Sequence, residues 1–239
     1  MMKRPDLKII YEDRWLIVAD KPSGMLTMST GKTDEITAYS ILTDYVRDNG
    51  HSRSMTGNRI FIVHRLDRDT SGLLVFAKDQ AVKELLQKNW NDAVLQRTYL
   101  AVLEGKIEDS EGWIETWLYE NPKSMKVHCH AFEPGDDRNI PPRKGWQFAS
   151  SHCRTIKHMD SGSTSYTLVE FELETGRKNQ IRVHSQWIGH PVAGDRKYGA
   201  ATNPTGRLCL HAHALSFIHP VTGKTMKFTS KAPRSFDRI

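Results

Sequence analysis

Apolar and β-branched residues concentrate in short runs at 7–11, 15–19, 60–63, 73–77, 98–103, 113–118 and 166–173. Each run is of strand length and bounded by polar or turn-forming residues, so each predicts a β-strand. Helical spacing appears twice. Ala38, Ile41, Leu42, Tyr45 and Val46 predict a first helix, with Asp34 as its N-cap and Gly50 as its stop; Val82, Leu85, Leu86 and Trp90 predict one apolar face of a second, capped by Asp79. The strands follow one another without regular crossover helices. The expected fold class is therefore α+β, a mixed, largely antiparallel sheet with flanking helices. Between 120 and 152 the pattern weakens among Pro122, Pro134, Gly135, Pro141, Pro142 and Gly145, which reads as loop or ragged hairpin. A last hairpin is expected around Thr222 and Gly223.

Composition adds a direction. The 239 residues, 38% hydrophobic, suffice for one sizeable core, and a single domain over 1–239 is the organisation expected. Lys and Arg number 34 against 28 Asp and Glu, for a net charge of +6, a mild lean toward a polyanionic partner. Cys129, Cys153 and Cys209 form no CxxC pair and suit a reducing compartment. The N-terminal residues carry charge on both sides of a short apolar run, so neither signal peptide nor membrane span is expected, and a cytoplasmic location follows.

The most informative stretch is 60–79, where two apolar runs enclose His64-Arg65-Leu66-Asp67-Arg68-Asp69-Thr70-Ser71-Gly72. A turn anchored by two core strands holds its side chains more tightly than a free loop does, and here carboxylates and guanidiniums are crowded together. A solvated hairpin would also explain the charges on composition alone. The literal string resembles the HRLD-x-x-TSG signature of RluA-type pseudouridine synthases. Two further segments occur in that family's order. Arg97-Thr98-Tyr99 is similar to its basic-x-Tyr motif. Residues 176–184, Gly-Arg-Lys-Asn-Gln-Ile-Arg-Val-His, and then 189–199, ending Gly-Asp-Arg-Lys-Tyr-Gly, resemble its third. Lys21-Pro22-Ser23-Gly24 resembles the opening turn, and residues 208–220 the closing strands, so the likeness spans about 7–230.

The resemblance implies an enzyme, an RNA isomerase acting on uridines of ribosomal or transfer RNA, with no cofactor and no metal. It implies Asp67 as catalytic carboxylate, paired by Arg182, and Tyr99 stacking near the uracil as a candidate for late proton transfer. Arg65 would fill the helix as the target uridine swings out, and Ile181 would pack on the base. His64 and Arg177 are expected to contact the substrate, and Lys21 to meet an RNA phosphate or solvate its turn. A separate N-terminal RNA-binding domain is not expected, nor an obligate protein partner; a monomer is assumed. Two departures bear on RNA contacts: Arg97 stands where relatives usually carry Lys, and Lys178-Asn179 replace the usual Thr-His. A catalytically silent RNA-binding module with the same fold is the alternative function, though Asp67, Tyr99 and Arg182 are all intact. A glycosidase-like pair of Asp67 and Asp69 needs the turn to stay extended. The groups His128-Cys129-His130, His152-Cys153 and Cys209-x-His211-x-His213 match no standard zinc spacing, and adjacent strand residues face opposite ways.

Overall fold

The structure is a computed structural model and describes residues 7–31, 35–48, 59–88 and 90–239, with the backbone alone for 91 and 92. In chain order the strands are β1 (Lys8–Glu12), β2 (Leu16–Lys21), β3 (Phe61–Ile62), β4 (Ser71–Ala77), β5 (Val94–Glu104), β6 (Glu111–Glu120), β7 (Val127–Ala131), β8 (Gln147–Ser161), β9 (Thr164–Leu173), β10 (Leu210–Ile218) and β11 (Thr225–Thr229). The helices are α1 (Ala38–Asp48), α2 (Gln80–Lys88), α3 (Trp90–Ala93) and α4 (Gln180–Trp187). They group into two compact units, Met1–Gln96 with His211–Lys231, and Arg97–Leu210 with Ala232–Ile239.

In the first unit the strands run β1-β2-β4-β10, with β3 on β4 and β11 on β10; every pairing is antiparallel except β4 with β10. Every residue of β4 is buried, which is why its sequence reads as an uninterrupted apolar run. Its Leu73, Val75 and Ala77 join Leu16, Val18, Val82, Leu86, Leu215 and Phe217 in one core. The Asp79 carboxylate caps α2, accepting from the amides of Ala81 and Val82 at 2.8 and 3.3 Å. Leu85 leaves the expected face and is 46% exposed, because Val82 and Leu86 alone point down onto β4. The first helix starts at a different cap from the one expected. Thr37 Oγ1 accepts from Ser40 N at 3.0 Å while Ser40 Oγ accepts from Thr37 N at 2.9 Å, a reciprocal cap; Asp34 and Gly50 lie outside the described residues. The strand expected at 60–63 shrinks to two residues, since His64 onward belongs to the turn.

In the second unit the order is β5-β9-β8-β6-β7, all antiparallel. Its core gathers Val102, Leu103, Val169, Phe171, Ile181, Val192 and Leu210. The polar stretch after 120 contains β7, paired with β6 as a hairpin, followed by turns to 146. The C-terminal hairpin forms as expected, with Gly223 at φ +69° between β10 and β11.

Candidate active site

The turn carrying His64 to Thr70 is held from behind by residues 21–27. Thr27 Oγ1 donates to the Leu66 carbonyl at 3.0 Å and accepts the Leu66 amide at 3.2 Å, a buried clamp on one residue's backbone. The Gly24 amide and the Lys21 ammonium both donate to the Arg68 carbonyl, at 3.0 and 2.9 Å, and Ser23 Oγ to that of Asp69 at 2.7 Å. Asp67, half-buried, therefore sits between two neighbours whose backbones are fixed. Such bracketing holds a side chain to a narrow range of positions. Arg65, next to it, is exposed and has no hydrogen bond or ion pair among the described residues.

Lys21, expected at an RNA phosphate or solvating its turn, points inward. It is fully buried, and its Nζ also donates to the carbonyls of Pro22 and Met25 at 2.9 and 2.7 Å. A buried ammonium is tolerated only when such acceptors surround it, so Lys21 works as a strut of the turn. The ring of His64, half-buried, likewise supports the turn: Nε2 accepts the Val75 amide at 3.1 Å, and the ring lies 4.8 Å from that of Trp90.

The Thr70-Ser71-Gly72 part of the signature joins β4 to β10. Ser71 Oγ and His211 Nδ1 are 2.8 Å apart, and His211 Nε2 is 3.1 Å from the Ser230 carbonyl. A carbonyl only accepts, so Nε2 carries a proton; in the neutral ring Nδ1 then accepts from Ser71. His213 Nδ1 reaches the same carbonyl at 2.7 Å. Gly72 has φ +112°, and a Cβ there would lie 2.2 Å from the Ala212 carbonyl oxygen, so both conformation and space demand glycine.

In the second unit Tyr99 lies on β5 opposite Phe171 of β9, half-buried against the core. Arg97, two residues earlier, donates to the Glu174 carbonyl at 2.8 Å, and its Nη1 occupies the space a Cβ on Gly176 would need, 2.5 Å away. The basic-x-Tyr motif and the glycine opening the third motif are thus fitted to each other. Arg177 is exposed, its Nε donating to the Phe148 carbonyl at 2.9 Å. Ile181, expected on the substrate base, is 4% exposed and part of the core.

Arg182 is held by a carboxylate that sequence reasoning left without a role. Its Nε and Nη2 donate to the two oxygens of Asp195 at 2.6 and 2.8 Å, and its guanidinium lies 5.0 Å from the Tyr198 ring centre. The Asp195 side chain is 1% exposed and that of Arg182 13%. The Tyr198 hydroxyl donates to Asn179 Oδ1 at 3.0 Å and accepts the Val127 amide at 3.1 Å. Asn179 precedes α4 at φ +54°, a left-handed conformation that asparagine tolerates better than most residues. The available signal for Asp195 and Tyr198 was the string at 194–199, whose polar pair lies inside an otherwise turn-like run. His184, at the end of the same motif, is fully buried between Thr116 Oγ1 at 2.9 Å and Ser151 Oγ at 3.0 Å. Burial pushes its imidazole down to about 3, so it is neutral and structural.

The family model for RNA pseudouridylate synthase matches residues 15–187. Over 98% of its length the chain is 33% identical to the uncharacterized RNA pseudouridine synthase YhcT of Bacillus subtilis, of which it spans 71%. It is 32% identical, over 95% of its length, to ribosomal large subunit pseudouridine synthase D of Neisseria meningitidis, of which it spans 58%. For tRNA pseudouridine synthase C of Pectobacterium carotovorum the identity is 29% over 94% of this chain and 59% of that one. The solved structure of human RNA pseudouridylate synthase domain containing 4 shares the fold, with a TM-score of 0.73 at 21% identity, over 96% of this chain and 90% of that one. The chain belongs to the RNA pseudouridylate synthase family, isomerases that convert uridine in RNA to pseudouridine.

Proposed function

We propose that this chain isomerises uridines of structured ribosomal or transfer RNA, with the Asp67 carboxylate as the reacting group and the target base turned out of its helix. The observation that carries the reading is the bracketed turn: Asp67 is half-buried, and the backbones of Leu66 and Arg68 on either side are tied down by Thr27, Gly24 and Lys21. Relatives named for ribosomal and transfer RNA supply the substrate class.

The reaction breaks the bond from uracil N1 to C1′, turns the base, and forms the bond from C5 to C1′. C5 loses a proton and N1 gains one, so no redox partner enters the balance. An ionised Asp67 has three routes open: attack at C1′, addition to the uracil ring, or removal of the C2′ proton. All three use the carboxylate as an anion, which a guanidinium partner orients. Motif order makes Arg182 that guanidinium, and its grip by Asp195 supports the assignment because the fork is already oriented. Tyr99 stacks near the uracil and assists loss of the C5 proton. Arg65, exposed and unengaged among the described residues, fills the stack that the flipped base leaves.

The direct test incubates the purified protein with unmodified transfer RNA and ribosomal RNA transcripts in a chelator-containing buffer and maps pseudouridine. Product at defined positions is expected. Bound RNA in which every uridine persists would reduce the protein to an RNA-binding module.

A further inference from the structure

Residues 119 to 147, which the proposed mechanism leaves without a task, form an aromatic and basic cleft in the second unit. Tyr119, at the end of β6, stacks on Trp146 with ring centroids 5.5 Å apart and planes 30° from parallel. His130 of β7 meets the same indole edge-on at 5.8 Å. Beside this stack lies a cavity of about 310 Å³ whose walls include Tyr119, Glu120, Val127, Gly145, Arg177 and Lys178. Gly145 keeps the wall thin, since a Cβ there would press on the Tyr119 ring at 3.3 Å.

The polar equipment is cationic. Arg177 is steadied through its Nε by the Phe148 carbonyl, and its two Nη groups make no hydrogen bond among the described residues. Lys178 pairs with Glu120 at the rim. Lys123, Arg143 and Lys144 are exposed on the flanking turns. The nearby Asp136 is engaged elsewhere, accepting from the Trp117 indole and the Glu133 amide at 3.3 and 3.0 Å.

The geometry points to a subsite for one unpaired nucleotide of the RNA other than the target uridine, its base on the Tyr119–Trp146 stack and its phosphate on the guanidinium of Arg177. A π-face beside a planar cation is the equipment with which proteins hold single-stranded RNA; a duplex would use phosphate contacts and leave the rings idle. A guanidinium with one edge fixed and the other presented suits a phosphate oxygen pair. The inference deepens the function proposed above and rests on RNA being the substrate. It also supplies a source of substrate choice, because residues 119–147 lie outside the motifs that carry the family resemblance.

The test irradiates wild-type protein with transfer RNA and ribosomal RNA stem-loops in which 5-iodouridine replaces one uridine per molecule, scanned along the strand so that the remaining uridines keep the C5 hydrogen the reaction removes, and maps the adducts by mass spectrometry. Adducts on Tyr119 or Trp146 are expected. The same RNAs should bind Trp146→Ala about tenfold more weakly at fixed salt, and Trp146→Phe within about twofold of wild type, since phenylalanine still stacks. Adducts confined to other peptides, or Trp146→Ala binding as tightly as wild type, overturn the subsite; the wild-type adduct decides the matter even where the alanine variant fails to fold. Pseudouridine measured in the same tubes separates the readings. Adducts without product keep the subsite and discard the catalytic account, whereas product with no adduct and unchanged affinity does the reverse.

Discussion

Removing the Asp195 side chain takes away the carboxylate that grips the guanidinium of Arg182 through two of its nitrogens. In Asp195→Ala two charge-assisted hydrogen bonds disappear, at 2.6 and 2.8 Å, and the Arg182 side chain, 13% exposed, has little water to replace them. Breaking a buried ion pair by deleting one partner costs about 3–5 kcal/mol; the residual exposure of Arg182 puts the expectation at the lower end, about 3 kcal/mol. For a chain of this size that is a fall in melting temperature of roughly 6–12 °C. Asp195→Asn keeps one acceptor oxygen and should lose about half as much. Catalysis should suffer separately, because an unpinned Arg182 shifts by an ångström or more and misplacement on that scale costs about 100-fold. The assay pairs thermal unfolding by circular dichroism with single-turnover pseudouridine formation at saturating RNA. A double variant with Arg182→Met should recover part of the stability lost in Asp195→Ala, since the buried cation that Asp195 held is then gone too, but none of the activity. Wild-type melting and turnover in Asp195→Ala, or strict additivity in the double variant, would refute the reasoning.

Lys21→Met removes the donor to three carbonyls, and the 64–70 segment should exchange its amides faster while the slope of affinity against salt stays unchanged; a slope reduced by about one would restore Lys21 to the RNA phosphate. Gly72→Ala sets a Cβ 2.2 Å from the Ala212 oxygen at φ +112° and should cost at least ~3 kcal/mol, whereas Gly189→Ala, at φ +81° with open space around it, should cost only about 1–2. Comparable melting of the two would show that space is not the deciding factor. His184 is held neutral down to about 3 in the folded chain, so the unfolded state takes up its proton first as pH falls below about 6.5. Stability carried by this group is complete above 6.5 and declines by about 1.4 kcal/mol per pH unit toward 3. Urea unfolding at pH 7 and 5 should differ by about 2 kcal/mol more in wild type than in His184→Gln; equal differences would mean the ring titrates normally.

Short apolar and β-branched runs of strand length made the strands legible, and β4 stood out because a strand buried on both faces needs no polar alternation. The Asp79 cap and the final hairpin were legible for a similarly local reason, a capping side chain and a glycine at the required place. What could not be read was decided by partners far along the chain. Lys21 looks like a solvated turn residue until the Arg68 carbonyl, 47 residues away, is brought onto its ammonium. Leu85 fits the helical period, but which flank of that face meets β4 depends on packing that periodicity does not contain. β7 hides in a polar stretch because it lends only Val127 and Cys129 to a core cluster, and hairpin pairing with β6 and the Tyr198 hydroxyl on the Val127 amide supply the rest of its hold. For the site, motif resemblance singled out Asp67, Tyr99 and Arg182. It assigned no role to Thr27 or Asp195, whose work is to hold those motifs still.

Asp67→Asn removes the charge while preserving shape and the bracketed backbone. Pseudouridine mapping under single-turnover conditions, with RNA affinity and melting temperature measured alongside, puts the central claim to its most direct test. The account predicts a folded protein that binds RNA and forms no product above the uncatalysed background; turnover within about tenfold of wild type would contradict it.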